Sequence, residues 1–244
     1  MTSAARALTD QVVIVTGGGS GVGRATALTL AAEGMIPVLV GRDRRRLAES
    51  ARQIADWGGR SLPIAADLRD EAAVEAMVQR AADELGGVDA LVIAAAVGLY
   101  GRIESYPLAD WQATMATNLT AAFLCSRAVV PLMRRRGGGA IIAIASGAGK
   151  QGYPELAAYS ASKFGLIGFM QSLAAEVKAD GIKVSTVVPG SILTDFAGQS
   201  AEEKRQSPAA GKSYLEAEDV AEAIRFLLRQ PRRAWTEELN LWPT

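Results

Sequence analysis

Apolar residues are concentrated in short runs rich in Val, Ile and Ala, and longer stretches between them place apolar residues at helical spacing. Short runs with little polar alternation are typical of parallel strands that are covered on both faces. We predict seven strands, at residues 11–16, 36–40, 60–66, 88–95, 140–145, 182–188 and 235–241. We predict a helix that begins at about residue 22, and further helices at residues 44–57, 71–85, 111–136 and 218–229. Another helix continues from the 146–163 region to about residue 179.

The regular alternation of strands and helices predicts the fold class. It indicates an α/β protein with a doubly wound, Rossmann-type parallel sheet of about seven strands and helices on both faces. The chain shows no internal repeat or linker, so we predict one domain over residues 1–244. Residues 191–213 are mostly polar, lack periodicity and contain Gly, Ser and Pro. A segment of that length is too long for a simple connector, and we predict a substrate lid.

A glycine-rich turn, TGGGSGVG, lies between the first strand and the first helix. Gly17, Gly21 and Gly23 allow a tight turn and a close approach of the backbone to a pyrophosphate. The helix from about Val22 directs its amino terminus at the anion. The alternative is a purely structural loop, but the flanking strand and helix favour a dinucleotide site. Gly19 and Ser20 complete the loop of that site.

The end of the second strand, Gly41-Arg42-Asp43, bears on the choice of cofactor. An acidic side chain here would bind the adenine ribose diol, and an arginine would accommodate a 2′-phosphate. Arg42 comes first after the strand, so we favour NADP(H) over NAD(H). Asp43 is open to a second interpretation, as the N-cap of the next helix. Asp67, after the third strand, either caps helix 71–85 or accepts a hydrogen bond from the adenine amino group.

A candidate proton-transfer site lies in the segment SGAGKQGYPELAAYSASK, residues 146–163. Tyr159 and Lys163 are four residues apart and share one face of a helix. A neighbouring ammonium would lower the phenol pKa from its ordinary value near ~10. Ser146 follows an apolar run and so lies at the carboxyl end of a strand, where open α/β sheets bind ligands. The alternative is that the Tyr and Lys simply occupy an exposed helix turn.

The composition narrows the possible chemistry. The chain has no histidine, which excludes Ser-His-Asp and Cys-His hydrolysis and histidine-based zinc sites, and we expect no metal. The 26 basic and 26 acidic residues balance, so we expect neither nucleic acid nor a membrane surface as a partner. The single cysteine, Cys125, fits a reducing compartment, and neither a signal peptide nor an apolar run of ~20 residues is evident. We therefore expect a cytoplasmic protein that acts on a small molecule.

Taken in order, several motifs resemble those of the short-chain dehydrogenase/reductase family. They are Thr16-Gly17-x-x-x-Gly21-x-Gly23, Asn118, Ser146, Tyr159-x-x-x-Lys163, and Pro189-Gly190 with Thr194. The resemblance extends from about residue 11 to residue 241. It implies an NADP(H)-dependent oxidoreductase that interconverts a carbonyl and a secondary alcohol by hydride transfer.

The resemblance also implies roles for individual residues. Tyr159 would be the acid or base, and Lys163 would lower its pKa and hold the nicotinamide ribose. Ser146 would polarise the substrate carbonyl. Asn118 would hold a water that joins Lys163 to solvent; from the residue alone, its amide is equally explained by a hydrogen bond to helix backbone.

The remaining implied contacts concern the cofactor and a second chain. Asp67 and Leu68 would lie around adenine. The nicotinamide side would be formed by Pro189, Gly190, Ile192 and Thr194. Many members of the family are dimers or tetramers built on two long helices, which correspond here to residues 111–136 and 159–179, so we expect a homodimer or homotetramer.

The chain departs from the family pattern at two places. Ile93-Ala94-Ala95-Ala96 stands where the family usually has Asn-Asn-Ala-Gly, which would weaken cofactor binding or widen the pocket. Ala94 and Ala95 are nevertheless expected beside the cofactor. Ser20 stands where many NADP-using relatives have a basic residue, so Arg42 would bind the 2′-phosphate largely alone or with help from a neighbour such as Arg44.

Three functional hypotheses follow. Candidate pocket walls are mainly apolar and favour a hydrophobic or medium-sized ketone; they are Val97, Leu99, Tyr100, Tyr153 and Phe196. A 3-oxoacyl thioester is the alternative substrate. A non-catalytic dinucleotide-binding sensor or scaffold is the alternative of another class, and the altered segment at 93–96 is its support.

Overall fold

The computed structural model describes residues 7–206 and 213–244 and contains the predicted parallel sheet. Seven strands pair in the order β3-β2-β1-β4-β5-β6-β7, and every pairing is parallel. They are β1 (Val12–Thr16), β2 (Ile36–Gly41), β3 (Leu62–Ala65), β4 (Ala90–Ile93), β5 (Gly139–Ile144), β6 (Ile182–Pro189) and β7 (Glu238–Leu241). The strand order reverses between β1 and β4, and in open α/β sheets such a switch point is where ligands bind.

Helices cover both faces of this sheet. They are α1 (Gly21–Ala32), α2 (Arg44–Asp56), α3 (Glu71–Leu85), α4 (Leu108–Met115), α5 (Ala121–Arg135), α6 (Ala157–Val177), α7 (Ala201–Gln206) and α8 (Ala217–Arg229). A hydrophobic core lies on each face of the sheet, and alternate residues of β1 belong to different cores. Val13 packs with α1, α2 and α8 on one face, and Ile14 packs with α3, α5 and α6 on the other. The doubly wound α/β fold is thereby confirmed, and its apolar strands are explained by burial on both faces.

Some predicted boundaries were wrong. Strand β4 ends at Ile93 rather than at residue 95, because the chain leaves the sheet at residue 94. The predicted helix 111–136 begins at Leu108 and is interrupted by a π-helical turn at Ala116–Thr120. Such single turns often occur at functional sites.

The predicted lid, residues 191–213, contains a short helix, α7, that the sequence pattern did not indicate. The charged sequence of α7 has no apolar stripe, and no residue of this helix is buried. Residues 207–212 of the predicted lid lie outside the described residues.

By length and composition, the helical stretch Leu108–Arg135 is apolar enough to cross a membrane. In this fold one side of it packs into the core between the sheet and α3, with Leu124 and Val129 buried. Core helices of soluble proteins have the same composition. The apolar residues of this stretch are therefore explained in part by packing against the sheet.

Candidate active site

A cavity of about 920 Å³ opens along the carboxyl ends of the strands and extends over both sides of the switch point. This volume is at the upper end of the usual range for ligand sites, and it suits a dinucleotide with a small substrate. Of the residues predicted to act or to bind cofactor, all but Asn118 border it. They are Gly17, Gly19, Ser20, Gly21, Val22, Gly23, Arg42, Asp67, Leu68, Ala94, Ala95, Ser146, Tyr159, Lys163, Pro189, Gly190, Ile192 and Thr194.

The glycine loop between β1 and α1 has a backbone conformation that favours glycine at key positions. Gly17 and Gly21 have φ values of +71° and +48°, in the left-handed region. A Cβ at Gly23 would lie 2.3 Å from the carbonyl oxygen of Gly17. The first turn of α1 is thus packed against the loop itself, which leaves its backbone N–H groups at the cavity. This arrangement fits a pyrophosphate.

At the predicted adenine end, Arg42 and Asp43 both follow β2 and both border the cavity. Asp43 N-caps α2, because its Oδ1 accepts a hydrogen bond from the Arg46 backbone N–H at 3.1 Å. That hydrogen bond lowers the pKa of the Asp43 carboxyl. Arg42, just before α2, and Arg46, in its first turn, both border the cavity, whereas Arg44 does not; the Arg46 side chain also pairs with Asp43 at 3.5 Å. Arg46, rather than the Arg44 expected from the sequence, is therefore the arginine of α2 that borders the cavity.

Asp67 lies where an adenine contact was predicted, but it does not cap α3. Asp70 is the cap, and its Oδ1 accepts hydrogen bonds from the N–H groups of Ala72 (2.9 Å) and Ala73 (3.3 Å). Asp67 instead pairs with Arg69 at 2.6 Å, and this hydrogen-bonded arginine lowers the Asp67 pKa to about 2. A permanently ionised carboxylate at this position can accept a hydrogen bond.

Tyr159 and Lys163 lie on the buried face of α6, with 8% and 3% of their surface exposed. The Lys163 Nζ lies 5.7 Å from the centre of the Tyr159 ring and donates a hydrogen bond to the Ile144 carbonyl at 2.7 Å. The alternative interpretation, that the pair simply occupies an exposed helix turn, is therefore wrong. Helix α6 instead positions both groups at the end of β5.

The expected lowering of the Tyr159 pKa by Lys163 is not what the chain's own groups produce. Burial raises the Tyr159 pKa well above its ordinary value, nearby Tyr100 raises it further, and a hydrogen bond with Ser146 opposes the rise. Burial also lowers the Lys163 pKa to about 8, so the ammonium is mostly protonated at neutral pH and loses its proton only slightly above it. Desolvation dominates here because both groups are deeply buried. The phenol is protonated at neutral pH and is suited to donate a proton.

Ser146 joins this pair from the other side. It directly follows the short link from β5, and its Oγ accepts a hydrogen bond from the Ala148 N–H at 3.1 Å. Ser146 also lowers the Tyr159 pKa slightly against the effect of burial, so the two hydroxyl groups lie near each other. A carbonyl oxygen placed between them would meet two O–H donors.

Asn118 is buried behind the cavity wall, at the π-helical turn. Its Oδ1 accepts from the Val97 N–H (2.8 Å), and its Nδ2 donates to the Val97 carbonyl (3.0 Å) and to Ser162 Oγ (3.1 Å). The hydrogen bonds of the Asn118 amide are thus made with the loop after β4 and with α6, and not with the backbone of its own helix. It positions the chain that leaves β4 relative to the helix that carries Tyr159 and Lys163.

The altered segment after β4 is held by Thr16. The Thr16 Oγ1 accepts hydrogen bonds from the N–H groups of Ala94 (2.9 Å) and Ala95 (3.0 Å). A Cβ at Gly17 would lie 3.2 Å from the Ala95 backbone, so the loop and the segment are in close contact. The backbone is therefore fixed without asparagine side chains, and small alanines face the cavity.

The substrate end is more aromatic than the sequence suggested. Four of the five predicted walls border the cavity, but Leu99 does not; its carbonyl accepts a hydrogen bond from Tyr106. Sequence reasoning missed Leu156, Tyr214 and Trp242, which also border it. Leu156 had a usable signal, because it lies three residues before Tyr159. Trp242 had none, since it reaches the site only through the pairing of β7 with β6.

Comparison with known proteins is consistent with this geometry. The family model described as short chain dehydrogenase matches residues 11–205. A 3-oxoacyl-[acyl-carrier-protein] reductase of Synechocystis sp. is 37% identical, over 94% of this chain and 93% of the relative. Levodione reductase of Leifsonia aquatica is 33% identical, over 90% of this chain and 88% of the relative. A metagenomic short-chain oxidoreductase solved in complex with NADP has a TM-score of 0.85 and 34% identity, and covers 98% of this chain and 100% of its own.

Proposed function

The chain belongs to the short-chain dehydrogenase/reductase family, and we propose that it uses NADP(H) to interconvert a small ketone and a secondary alcohol, with Tyr159 as the acid or base. Family membership makes it an NAD(P)-dependent oxidoreductase rather than a binding scaffold. The observation that carries the proposal is the convergence of Ser146, Tyr159 and Lys163 at one end of a cavity whose other end is a phosphate loop.

In the direction of reduction, Ser146 and Tyr159 hold the substrate oxygen by two hydrogen bonds. When bound, the reduced nicotinamide supplies the hydride. As the carbonyl carbon gains that electron pair, the carbonyl oxygen becomes negative and takes the phenolic proton of Tyr159. Lys163, buried beside the ring, stabilises the phenolate that remains. The raised Tyr159 pKa keeps the phenol protonated throughout the neutral range, so a proton is available for this transfer.

The preference for NADP(H) is supported by charge at the adenine end. Arg42 and Arg46 border this end, and Asp43 is engaged as the N-cap of α2. A 2′-phosphate carries about two negative charges at neutral pH, and guanidinium groups bind phosphate oxygens in a bidentate manner. The solved relative that contains NADP is in keeping with this choice.

A fluorescence titration of the purified protein with NADPH and with NADH tests the cofactor proposal first. We expect NADPH to bind at least about tenfold more tightly, because the 2′-phosphate adds a charged contact. Arg42→Ala and Arg46→Ala should each reduce that ratio, mainly by weakening NADPH binding. Arg44→Ala is the matched control, and it should leave the ratio unchanged. Tighter binding of NADH by the wild type would overturn the preference while leaving the catalytic residues as proposed.

The 3-oxoacyl thioester alternative is not favoured. The name of the Synechocystis relative describes that protein, and the substrate end of this cavity is lined mainly by apolar and aromatic groups. We therefore retain a hydrophobic ketone of small or medium size as the proposed substrate. Turnover of a ketone panel with NADPH, compared with a 3-oxobutanoyl thioester, tests this choice directly.

A further inference from the structure

The chain's own carboxyl-terminal segment provides one wall of the substrate end. Strand β7 pairs with β6 through Leu241 and Pro189, and the Gly190 N–H donates to the Leu241 carbonyl at 2.8 Å. Trp242 is the next residue and borders the cavity. It is therefore brought beside the ends of β5 and β6 by backbone pairing.

The indole of Trp242 rests on two glycines. A Cβ at Gly190 would lie 2.9 Å from its Cε3, and a Cβ at Gly147 would lie 2.7 Å from its Cη2. The six-membered ring of the indole thus contacts both the residue after Ser146 and the residue after Pro189. Any larger residue at either position would displace the ring, so the position of the indole depends on both glycines. The indole lies across the edge of the site next to Ser146.

Phe196 provides a second aromatic wall, and the lid holds it firmly. Its backbone N–H donates to the Gln199 carbonyl at 3.0 Å, and the Gln199 N–H donates back at 3.3 Å. Ala197 (φ 57°) and Gly198 (φ 77°) complete a two-residue turn in the left-handed region. An alanine is strained in this conformation, and such strain is often found at functional sites. The ring fits over Gly98, where a Cβ would lie 2.6 Å from the Phe196 Cε1.

The aromatic rings meet around the reacting hydroxyl. The ring centres of Phe196 and Tyr100 lie 5.9 Å and 5.8 Å from that of Tyr159, both in edge-to-face contact. Burial raises the pKa of the Tyr100 phenol, as expected for an apolar surrounding. Tyr153 and Leu156 border the same end.

Besides the groups at the adenine end and Lys163, the described cavity lining carries two formal charges, those of Asp195 and Lys204 on the lid, and both side chains are engaged by backbone groups. The arginines and Asp67 lie at the adenine end, and Lys163 lies behind Tyr159. On the lid, Asp195 accepts from the Ala201 N–H at 2.7 Å, and Lys204 donates to the Thr194 carbonyl at 2.5 Å. The substrate end therefore offers aromatic surfaces and hydroxyl groups, which suits a neutral and flat molecule.

We propose that the substrate is a ketone with a flat, uncharged ring beside the carbonyl carbon, and that Trp242 is the residue that selects it. This inference rests on the proposed function, because the ring is placed relative to Ser146 and Tyr159. The indole would hold the substrate ring on the side of β5 and β6, and Phe196 and Tyr100 would hold it on the lid side. Trp242 is thus assigned to specificity and not to proton transfer.

The test compares acetophenone, 2-butanone and acetoacetate as substrates, with NADPH oxidation as the readout. We expect the wild type to have its highest kcat/KM with acetophenone. Trp242→Ala should raise the acetophenone KM at least about tenfold and leave kcat within about threefold, since it removes binding surface rather than a reacting group. The KM for 2-butanone should change less than about twofold. Trp242→Phe, which keeps a ring, should retain most of the acetophenone affinity.

Trp57→Ala is the matched control, because Trp57 is similarly exposed (63% against 54% for Trp242) but lies at the end of α2, away from the cavity. It should leave all three substrates unaffected. The NADPH Kd and the unfolding temperature of each variant establish whether it is folded. If Trp242→Ala does not fold, Trp242→Leu makes the same comparison.

The outcomes separate the two proposals. Equal KM changes for acetophenone and 2-butanone in Trp242→Ala, or none, would overturn the role of Trp242. A wild type that reduces 2-butanone or acetoacetate better than acetophenone would overturn the substrate class and leave the ketone reductase proposal intact. A wild type that binds NADPH and reduces no carbonyl would overturn the proposed function itself, and the inference with it.

Discussion

At the scale of single residues, the proposed proton transfer depends on the Tyr159 hydroxyl. In Tyr159→Phe the ring contacts with Tyr100 and Phe196 are preserved, and only the proton donor is lost. We expect turnover to fall about 10²- to 10⁴-fold, the usual range for removing a general acid. The NADPH Kd should stay within about threefold of the wild-type value. Steady-state kinetics and a cofactor titration measure both quantities.

Ser160 offers a control on the same turn of α6. Its Oγ is buried and has no hydrogen-bond partner among the described residues, and the residue does not border the cavity. Ser160→Ala removes a buried unpaired hydroxyl and should keep full turnover, with equal or slightly higher stability. If Tyr159→Phe and Ser160→Ala had the same turnover, Tyr159 would have no role as acid.

The lowered pKa of Lys163 predicts how the stability of the fold depends on pH. Its pKa is about 8 in the folded chain, against an ordinary value of 10.5. Between these values the unfolded chain binds a proton that the folded chain does not, so this group makes folding more favourable as pH rises. Below about pH 8 both states are protonated, and the folded state has the full cost of a buried ammonium.

Lys163→Met should remove this dependence. From pH 8 to pH 10 the unfolding free energy of the wild type should rise relative to that of the variant, by roughly 2 kcal/mol. Because the variant keeps Tyr159, the difference between the two proteins cancels the titration of that phenol. Denaturant unfolding at several pH values measures the difference. Parallel profiles for the two proteins would contradict the low pKa.

At the scale of elements, the junction of β1 and α1 depends on a glycine. A methyl group at Gly23 would lie 2.3 Å from the Gly17 oxygen, so Gly23→Ala must displace the loop or the first turn of α1. We expect the NADPH Kd to rise at least about tenfold, because the backbone N–H groups would no longer converge on the pyrophosphate. Isothermal titration measures the change.

Gly152→Ala is the control for adding a methyl group. Gly152 is exposed in a loop, and a Cβ there would meet no atom within 4 Å. Its cofactor affinity should equal that of the wild type, and its stability should change by less than about 0.5 kcal/mol. Unchanged affinity in Gly23→Ala would show that the loop geometry does not set cofactor binding.

At the scale of the whole molecule, the two long helices are the proposed surface for association with a second copy. Phe123 on α5 and Phe164 on α6 are 43% and 47% exposed, which is unusual for large apolar residues on neighbouring helices. We expect light scattering to give the mass of a dimer or tetramer. Phe164→Glu should shift the mass towards that of one chain, since burying a carboxylate in an interface is costly.

Phe226→Glu tests whether any charged substitution has this effect. Phe226 is 55% exposed but lies on α8, against the other face of the sheet. It should leave the helix α5–α6 association intact. A wild-type mass equal to one chain would rule out the oligomer.

Much of the fold followed from local patterns. Runs such as residues 12–16 are apolar because both faces of the sheet are covered, and this alone indicates parallel α/β order. The TGGGSGVG turn and the Tyr159–Lys163 spacing are short-range features, so the sequence was sufficient to propose a phosphate loop and a reacting pair that border one cavity. The choice of Arg42 over Asp43 was open in the sequence, and the N-cap hydrogen bond of Asp43 supports it.

The sequence by itself therefore determined the order of strands and helices and the candidate chemistry, because these depend on neighbours within a few residues. The tertiary structure decided the environment of that chemistry. It brings Arg46 rather than Arg44 to the cavity, pairs the Asn118 amide with the Val97 backbone, and raises the Tyr159 pKa by burial. It also brought Trp242 onto Gly147, almost a hundred residues earlier in the chain. Strand pairing and desolvation act between distant residues, and no local pattern contains them.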